Sequence, residues 1–374
     1  MNDPTRPPVY LDHNGTAPVA PEVAAAMWPY LTEHFGNPSS LTPQGRVARE
    51  AVESARERVA ALVAAFPDEI VFTSGGTESN NLAIRGSATS ASVRVALSSV
   101  VEHPATDQPL TLLEEQGWTV HRMPVDADGR VSPASVPPGP IGLGTLILAQ
   151  NEVGTVEPVA AIAERVHAAG GVMHADAAQA VGKIPVDVGS LGVDLLSIAG
   201  HKLYAPKGVG ALVVRRGTPL RPVLVGAGQE RGLRPGTENV ASIVGLGAAA
   251  ELAGRVLADE PARQERLREL LWQLLSDGIP GLVRVSSPDG CLPNTLMVAV
   301  PDRTGADLLE AAPAVAASTG SACHAGLHTP AATLLAMGVD PRTAVGAVRL
   351  TLGRSTTRSD IVLAAEALVS AARR

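Results

Sequence analysis

The chain has 374 residues, 45% of them hydrophobic and 2% aromatic, with 37 glycines and 30 prolines. That composition can bury a large core, and the length suggests two domains or one large domain with an appendage. The net charge of −7 argues against a strongly basic nucleic-acid-binding face.

Of the 30 basic residues, only three are lysines, Lys183, Lys202 and Lys207. Lysine can lose its proton and act as a nucleophile whereas arginine cannot, so each lysine is a candidate functional amine. The two cysteines, Cys291 and Cys323, are too few for a disulfide framework. The N-terminus lacks the basic start, apolar run and cleavage site of a secretory signal, and no run approaches the roughly 18 apolar residues of a membrane span. A soluble cytoplasmic protein with reduced thiols, not bound to membrane, is expected.

In chain order, Val47, Ala51, Val52, Ala55, Val59, Leu62 and Val63 predict a helix over about 44–65, with Arg49, Glu53, Arg56 and Glu57 on its polar face. Strands are predicted at 70–73, 93–98, 119–123, 146–150, 172–175, 195–199 and 210–215, with helices at 109–116 and 159–168 among them. Apolar strands alternating with helices imply a mostly parallel α/β sheet covered by helices, with ligands beyond the carboxyl ends of the strands. From 239 to 275 the pattern turns helical, with segments at 248–257 and 263–275. The remainder carries short strands at 296–300 and 348–352 and helices at 306–312 and 359–372, read as a smaller α+β domain. The predicted division is a large domain over 15–255 and a small one made of 1–14 and 256–374.

Five segments carry chemistry. Thr73-Ser74-Gly75-Gly76-Thr77-Glu78 runs from a strand through a glycine turn into a helix, an arrangement that suits an anion, although a plain capped turn has the same residues. Asp176 and Gln179 follow a buried-looking strand, where a polar ligand or a helix cap would each use them. Lys202 stands just beyond an apolar strand, beside His201 and between glycines, the context in which a lysine loses its proton more easily. Lys183 and Lys207 read as surface turn residues. Cys323 lies in a run of small residues bounded by Gly320 and Gly326, which suggests a mobile exposed loop, whereas Cys291 precedes a strand and reads as packing. Zinc is an alternative for Cys323, His324 and His328, but the usual paired spacing is missing and no metal is expected. Arg349, inside a strand pattern, suits either a carboxylate ligand or a surface ion pair.

Taken together, the order of these parts resembles the pyridoxal-phosphate enzymes of fold type I. With Gly320-Ser321-Ala322-Cys323 added, the chain is similar to the cysteine desulfurases of the class V aminotransferase family. Further segments of the resemblance are Tyr10-Leu11-Asp12-His13-Asn14, Gly36-Asn37-Pro38, Glu102-His103, Gln150-Asn151-Glu152 and Arg234-Pro235-Gly236-Thr237-Glu238-Asn239. The resemblance implies pyridoxal 5'-phosphate as cofactor, linked to Lys202. His103 would stack on the ring and move protons, and Asp176 would hold the ring nitrogen protonated. Gln179 and Asn151 would reach the ring hydroxyl or the substrate. Gly76, Thr77 and His201 would cradle the phosphate, with Thr237 reaching that of the neighbouring subunit in a homodimer. Arg349 would clamp the carboxylate of L-cysteine alongside Asn151. Cys323 would take the sulfur as a persulfide and hand it to an acceptor protein, leaving alanine.

Three departures accompany the resemblance. Ala199 stands where many relatives carry a serine that donates to the phosphate. Gly15-Thr16-Ala17 replaces a commoner Ala-Thr-Thr. The chain ends soon after its last predicted helix, without the longer tail that some relatives use to dock an iron–sulfur scaffold. The acceptor is therefore open between such a scaffold, a sulfur carrier, a tRNA-thiolation protein and a dedicated biosynthetic enzyme. Rival readings are another reaction on the same cofactor, such as transamination or cystine or selenocysteine lysis, and a non-catalytic assembly partner.

Overall fold

The computed structural model describes residues 7–319 and 329–373. After strand β1 (Val9–Tyr10) come two helices, Pro21–Thr32 and Pro43–Leu62, and then the main sheet. Its strands are β2 (Ile70–Thr73), β3 (Val95–Ser99), β4 (Thr119–Met123), β5 (Leu143–Ile147), β6 (Val172–Asp176), β7 (Leu195–Ala199) and β8 (Gly210–Val214). They lie in the order β2-β8-β7-β6-β5-β3-β4, with β8 antiparallel to both its neighbours and every other pairing parallel. Strands β2, β5 and β7 are buried at every residue, as a sheet covered on both faces requires, which is why β2 and β7 read as mostly apolar runs without alternation.

Two helices, Val240–Val256 and Glu260–Gly278, lead into β9 (Val283–Arg284), β10 (Thr295–Ala299), β11 (Val315–Ala316) and β12 (Ala347–Thr351). Strands β9, β10 and β12 form an antiparallel sheet with β10 in the middle, and β11 pairs in parallel with β1. The N-terminal strand thus belongs to the C-terminal packing unit, where Leu11 shares a hydrophobic cluster with Leu271, Leu296, Leu350, Ile361 and Leu368. Among the described residues no single helix is long and apolar enough to cross a membrane.

Among the boundaries that differ from expectation, two bear on the site. Strand β5 begins at Leu143 and ends at Ile147, not 146–150, so that Gly144 falls inside it. Gly144 is a close-packing glycine: a Cβ there would lie 2.6 Å from Val166 Cγ2 and 2.8 Å from Met173 Sδ. The helix expected from about 109 starts at Pro104, with His103 as its N-cap, so that Pro109 falls inside it.

One buried ion pair ties the loop after β8 to the strand that leads into the glycine turn. Arg56 donates from Nη2 to Glu230 Oε1 (2.7 Å) and from Nη1 to Glu230 Oε2 (2.9 Å) and to the Ile70 carbonyl (2.7 Å). The Phe72 amide donates to the same Glu230 Oε2 at 2.8 Å. Removing the carboxylate takes away the bidentate partner of a buried guanidinium and leaves it only the exposed Glu53, 3.2 Å from Nε, so Glu230→Ala should lower the unfolding free energy by about 3 kcal/mol in urea titrations. A loss below about 1 kcal/mol would show that the pair does not secure β2.

Candidate active site

Strand ends from the main sheet converge on one cavity of about 360 Å³. Gly76 and Thr77 enter it from the turn after β2, and His103 from the start of the helix Pro104–Glu115. Asn151 comes from the turn after β5, Asp176 and Gln179 from the end of β6, and Ala199, His201 and Lys202 from the end of β7. Arg349 reaches across from β12. These are the residues expected from the sequence, together in one chamber. Thr237 is exposed and stands outside the lining in the single chain, and Cys323 lies outside the described residues.

The helix Gly76–Ser90 supplies the anion-facing end. Its N-cap, Gly75, has φ +150°, a conformation that side-chain-bearing residues rarely adopt, and no side chain caps the helix. The free first-turn N–H groups therefore face the cavity with the Thr77 side chain beside them. A Cβ at Gly76 would lie 3.3 Å from Ala199 Cβ, so this wall is close-packed. His201 accompanies it, its Nδ1 3.2 Å from Thr16 Oγ1. Burial, then the nearby Lys202 and Lys207 amines, push the imidazole down to about 4, so it is neutral at physiological pH.

At the floor, Asp176 accepts hydrogen bonds from Asn80 Nδ2 (2.7 Å), the Ala178 amide (3.0 Å) and Thr106 Oγ1 (3.5 Å). Asn80 and Thr106 are the part of the site that sequence reading missed; only their burial next to a carboxylate reveals them. Below Asp176, His174 is fully buried between Thr145 Oγ1 (2.7 Å) and Ser197 Oγ (2.9 Å). His103 sits on the rim, where Nδ1 accepts the Ala105 amide at 3.0 Å. Since that nitrogen is an acceptor, the neutral ring carries its proton on Nε2. Burial lowers its basicity, against the pull of Asp176.

Lys202 is held by backbone. Its Nζ donates to the Asn14 carbonyl at 2.5 Å and to the Gly15 carbonyl at 2.6 Å. Burial, then the Arg349 guanidinium, lowers the amine to about 8, with Asp12 and Asp176 pulling the other way. An amine with this value keeps a usable fraction unprotonated near neutrality. Arg349 is not on the surface: it is buried, pairs with Asp12 Oδ1 at 2.8 Å and donates to the Asn151 carbonyl at 3.0 Å.

Lys183 is a correction. It was expected as a surface turn residue, but its Nζ points inward, donating to Asn14 Oδ1 (2.8 Å) and Gln179 Oε1 (2.5 Å). The signal for its burial was the apolar neighbours Val181 and Ile184 on either side. Lys207 is exposed, as expected. Cys291 is a packing thiol: its Sγ donates to the Val153 carbonyl at 3.2 Å and burial pushes it up to about 11.

Glu102 adds a testable electrostatic feature. Oε1 accepts from Ser99 Oγ (2.6 Å) and the Ile147 amide (3.1 Å), while buried Oε2 has no hydrogen-bond partner among the described residues. Burial pushes the carboxyl up to about 8 from its ordinary 4.5. Between those values the folded protein keeps a proton that the unfolded chain has lost, so this group's contribution to stability falls as pH rises through the window. Glu102→Gln removes that dependence. The melting temperature of the variant relative to the native protein should therefore rise from about pH 5 to about pH 8.5. A difference that stays flat with pH would contradict a protonated Glu102.

The residues fit pyridoxal phosphate: an uncapped helix N-terminus for a phosphate, a buried carboxylate for a ring nitrogen, and a low-basicity amine for a carbonyl carbon. Comparison with known proteins agrees. The family described as "Aminotransferase class-V", whose members include pyridoxal-phosphate enzymes, matches residues 9–363. A cysteine desulfurase from Trichormus azollae is 44% identical over 360 residues, 94% of this chain and 90% of the relative. The cysteine desulfurase NifS of Azotobacter vinelandii is 42% identical over the same shares. Among solved structures, a NifS-like protein superposes with a TM-score of 0.90 at 34% identity, covering 97% of this chain and 98% of that one. SspA in complex with cysteine superposes with a TM-score of 0.81 at 33% identity, covering 92% and 98%. With its nearly full length shared in both sequence and fold, the chain belongs to the class V aminotransferases and, within them, to the cysteine desulfurases.

Proposed function

We propose that the chain carries out desulfuration with pyridoxal 5'-phosphate on Lys202 and Cys323 as sulfur carrier, working as a cytoplasmic homodimer. The observation that carries this reading is the Lys202 amine, lowered to about 8 and held between two carbonyl oxygens in a chamber that also contains Asp176 and an uncapped helix N-terminus. The chemistry that bound pyridoxal phosphate supplies is an aldehyde for an amine and a ring that withdraws electrons from the carbon next to it. Gly76, Thr77 and His201 would hold its phosphate, Asp176 its ring nitrogen and His103 its face, with Gln179 and Asn151 at the edge.

L-Cysteine would enter with its carboxylate toward Arg349 and Asn151, competing with Asp12 for the guanidinium. Lys202 Nζ, once free, takes the proton from the substrate Cα. The Cys323 thiolate attacks the substrate sulfur. The carbon–sulfur bond breaks with its electron pair going to carbon, a proton is returned there, and the products are alanine and a Cys323 persulfide. His103 Nε2 is placed to shuttle protons at the rim. A structural relative, SspA, has been solved with cysteine bound, which supports the choice of substrate.

The homodimer reading draws on large apolar residues that a partner subunit would cover, Phe35 (84% exposed), Leu41 (88%) and Val225 (90%). The exposed Thr237 would then serve the partner's phosphate. The sulfur acceptor is proposed as a protein.

Two variants test the reading. Lys202→Ala should lose the yellow absorbance of the loaded protein and its activity. Cys323→Ala should keep the absorbance but lose sulfide release from L-cysteine in the presence of dithiothreitol, by more than about a hundredfold. Undiminished release from Cys323→Ala with the absorbance intact would leave a lyase that expels sulfide directly and would overturn the persulfide step.

A further inference from the structure

Asn14 is the meeting point of both inward-facing lysines. Its main-chain carbonyl accepts from Lys202 Nζ (2.5 Å) and from Gln179 Nε2 (2.9 Å), and its side-chain Oδ1 accepts from Lys183 Nζ (2.8 Å) and Asn294 Nδ2 (3.1 Å). Gln179 closes the loop, since its Oε1 accepts from Lys183 at 2.5 Å. Lys183 therefore fixes which way both amides face. With Oδ1 and Oε1 turned to its amine, Asn14 Nδ2 must donate to Thr295 Oγ1 (2.9 Å) and the Asn151 carbonyl (3.3 Å), and Gln179 Nε2 must donate to the Asn14 carbonyl.

We propose that Lys183 is a positioning residue for the active-site amine: by clamping the side chains of Asn14 and Gln179 it holds the Asn14 carbonyl against Lys202. Lys183 is not among the residues that line the chamber. No carboxylate pairs with it among the described residues, and its two hydrogen bonds match the two N–H groups of an uncharged amine. The charged and titratable groups around it are Lys202 from the end of β7, Arg349 from β12 and His13 from the N-terminal segment. Tyr204, Glu260 and Arg354 line the small cavity that Lys183 shares with Lys202, and Asp12 and Asp176 act on Lys202. Burial, and then the positive Lys202 and Arg349, push the Lys183 amine well below the ordinary lysine range.

The inference rests on Lys202 being the cofactor-linking amine, and its test uses the fact that the chain has three lysines. Cofactor-free protein labelled with [ε-13C]lysine should give three titrating signals. The Lys183 signal is expected at least one unit below that of Lys207. In Lys183→Met the Lys202 midpoint should drop by at least half a unit, because the carbonyl that favours its ammonium is no longer held. The dissociation constant for pyridoxal phosphate should rise at least tenfold, and Lys207→Met should change neither quantity. Coincident titration of Lys183 and Lys207 in the native protein would overturn the proposal, with or without a folded variant. So would a Lys183→Met protein with an unchanged Lys202 midpoint and cofactor affinity. Borohydride reduction of the loaded native protein followed by peptide mapping reports the Lys202 link separately. A label on another lysine would overturn that assignment, while the titration still decides the role of Lys183.

Discussion

The site depends on a short stretch of backbone, the consecutive carbonyls of Asn14 and Gly15, being brought against Lys202 from a distant part of the chain. An amine at the end of a buried strand needs acceptors for its N–H groups, and a carboxylate within reach would hold it as a stable ammonium. Carbonyl dipoles satisfy the hydrogen bonds with a weaker preference for the charged form. Asp12, the nearest acid on the same segment, is instead occupied by Arg349 at 2.8 Å. The pairing of β1 with β11 and the bonds from the Asn14 amide to Thr351 and from Asn14 Nδ2 to Thr295 fix this segment. Through them, packing of the C-terminal cluster sets the position of groups that act in the chamber of the main sheet.

The opposite wall follows from the sheet itself. Strands β2, β6 and β7 run in the same sense, so Gly76, Asp176 and Lys202 all emerge at one edge, where loops leave the sheet. Ala199 at the end of β7 offers no hydroxyl to a phosphate, and Gly76 opposite it has room for only a glycine or a small shift. In the proposed function, phosphate holding at this wall would therefore fall to the helix N-terminus, Thr77 and His201. A neutral His201 would contribute a hydrogen bond there without a charge.

Much of this arrangement was legible in the residues. The predicted runs at 70–73, 119–123 and 195–199 coincide with β2, β4 and β7, because β2 and β7 are buried throughout and the edge strand β4 is bounded by Gly117 and Pro124. Glycine turns and polar residues at strand ends marked Gly76, Asp176 and Lys202, and the structure gathers them around one cavity. Two kinds of feature were less accessible. Close packing put Gly144 inside a strand, since its need for no side chain comes from Val166 and Met173, neighbours in space. The partners that orient the site, Asn14, Asn80, Thr106 and Lys183, are ordinary polar residues whose meaning arises from contacts more than 25 positions away in the chain for the first three, and from Asn14 for the last. Arg349 was open between a ligand and a surface pair; it is a buried pair at the edge of the cavity, a state from which a substrate carboxylate could displace Asp12.

The central claim is that sulfur leaves L-cysteine in this chamber and is carried by the chain itself. It is tested most directly by a single turnover of the loaded protein with 35S-labelled L-cysteine, followed by alkylation and peptide mapping. The expected result is one equivalent of alanine and label confined to the peptide containing Cys323. Label on the Cys291 peptide, or alanine formed with label only in free sulfide from the first turnover, would contradict it.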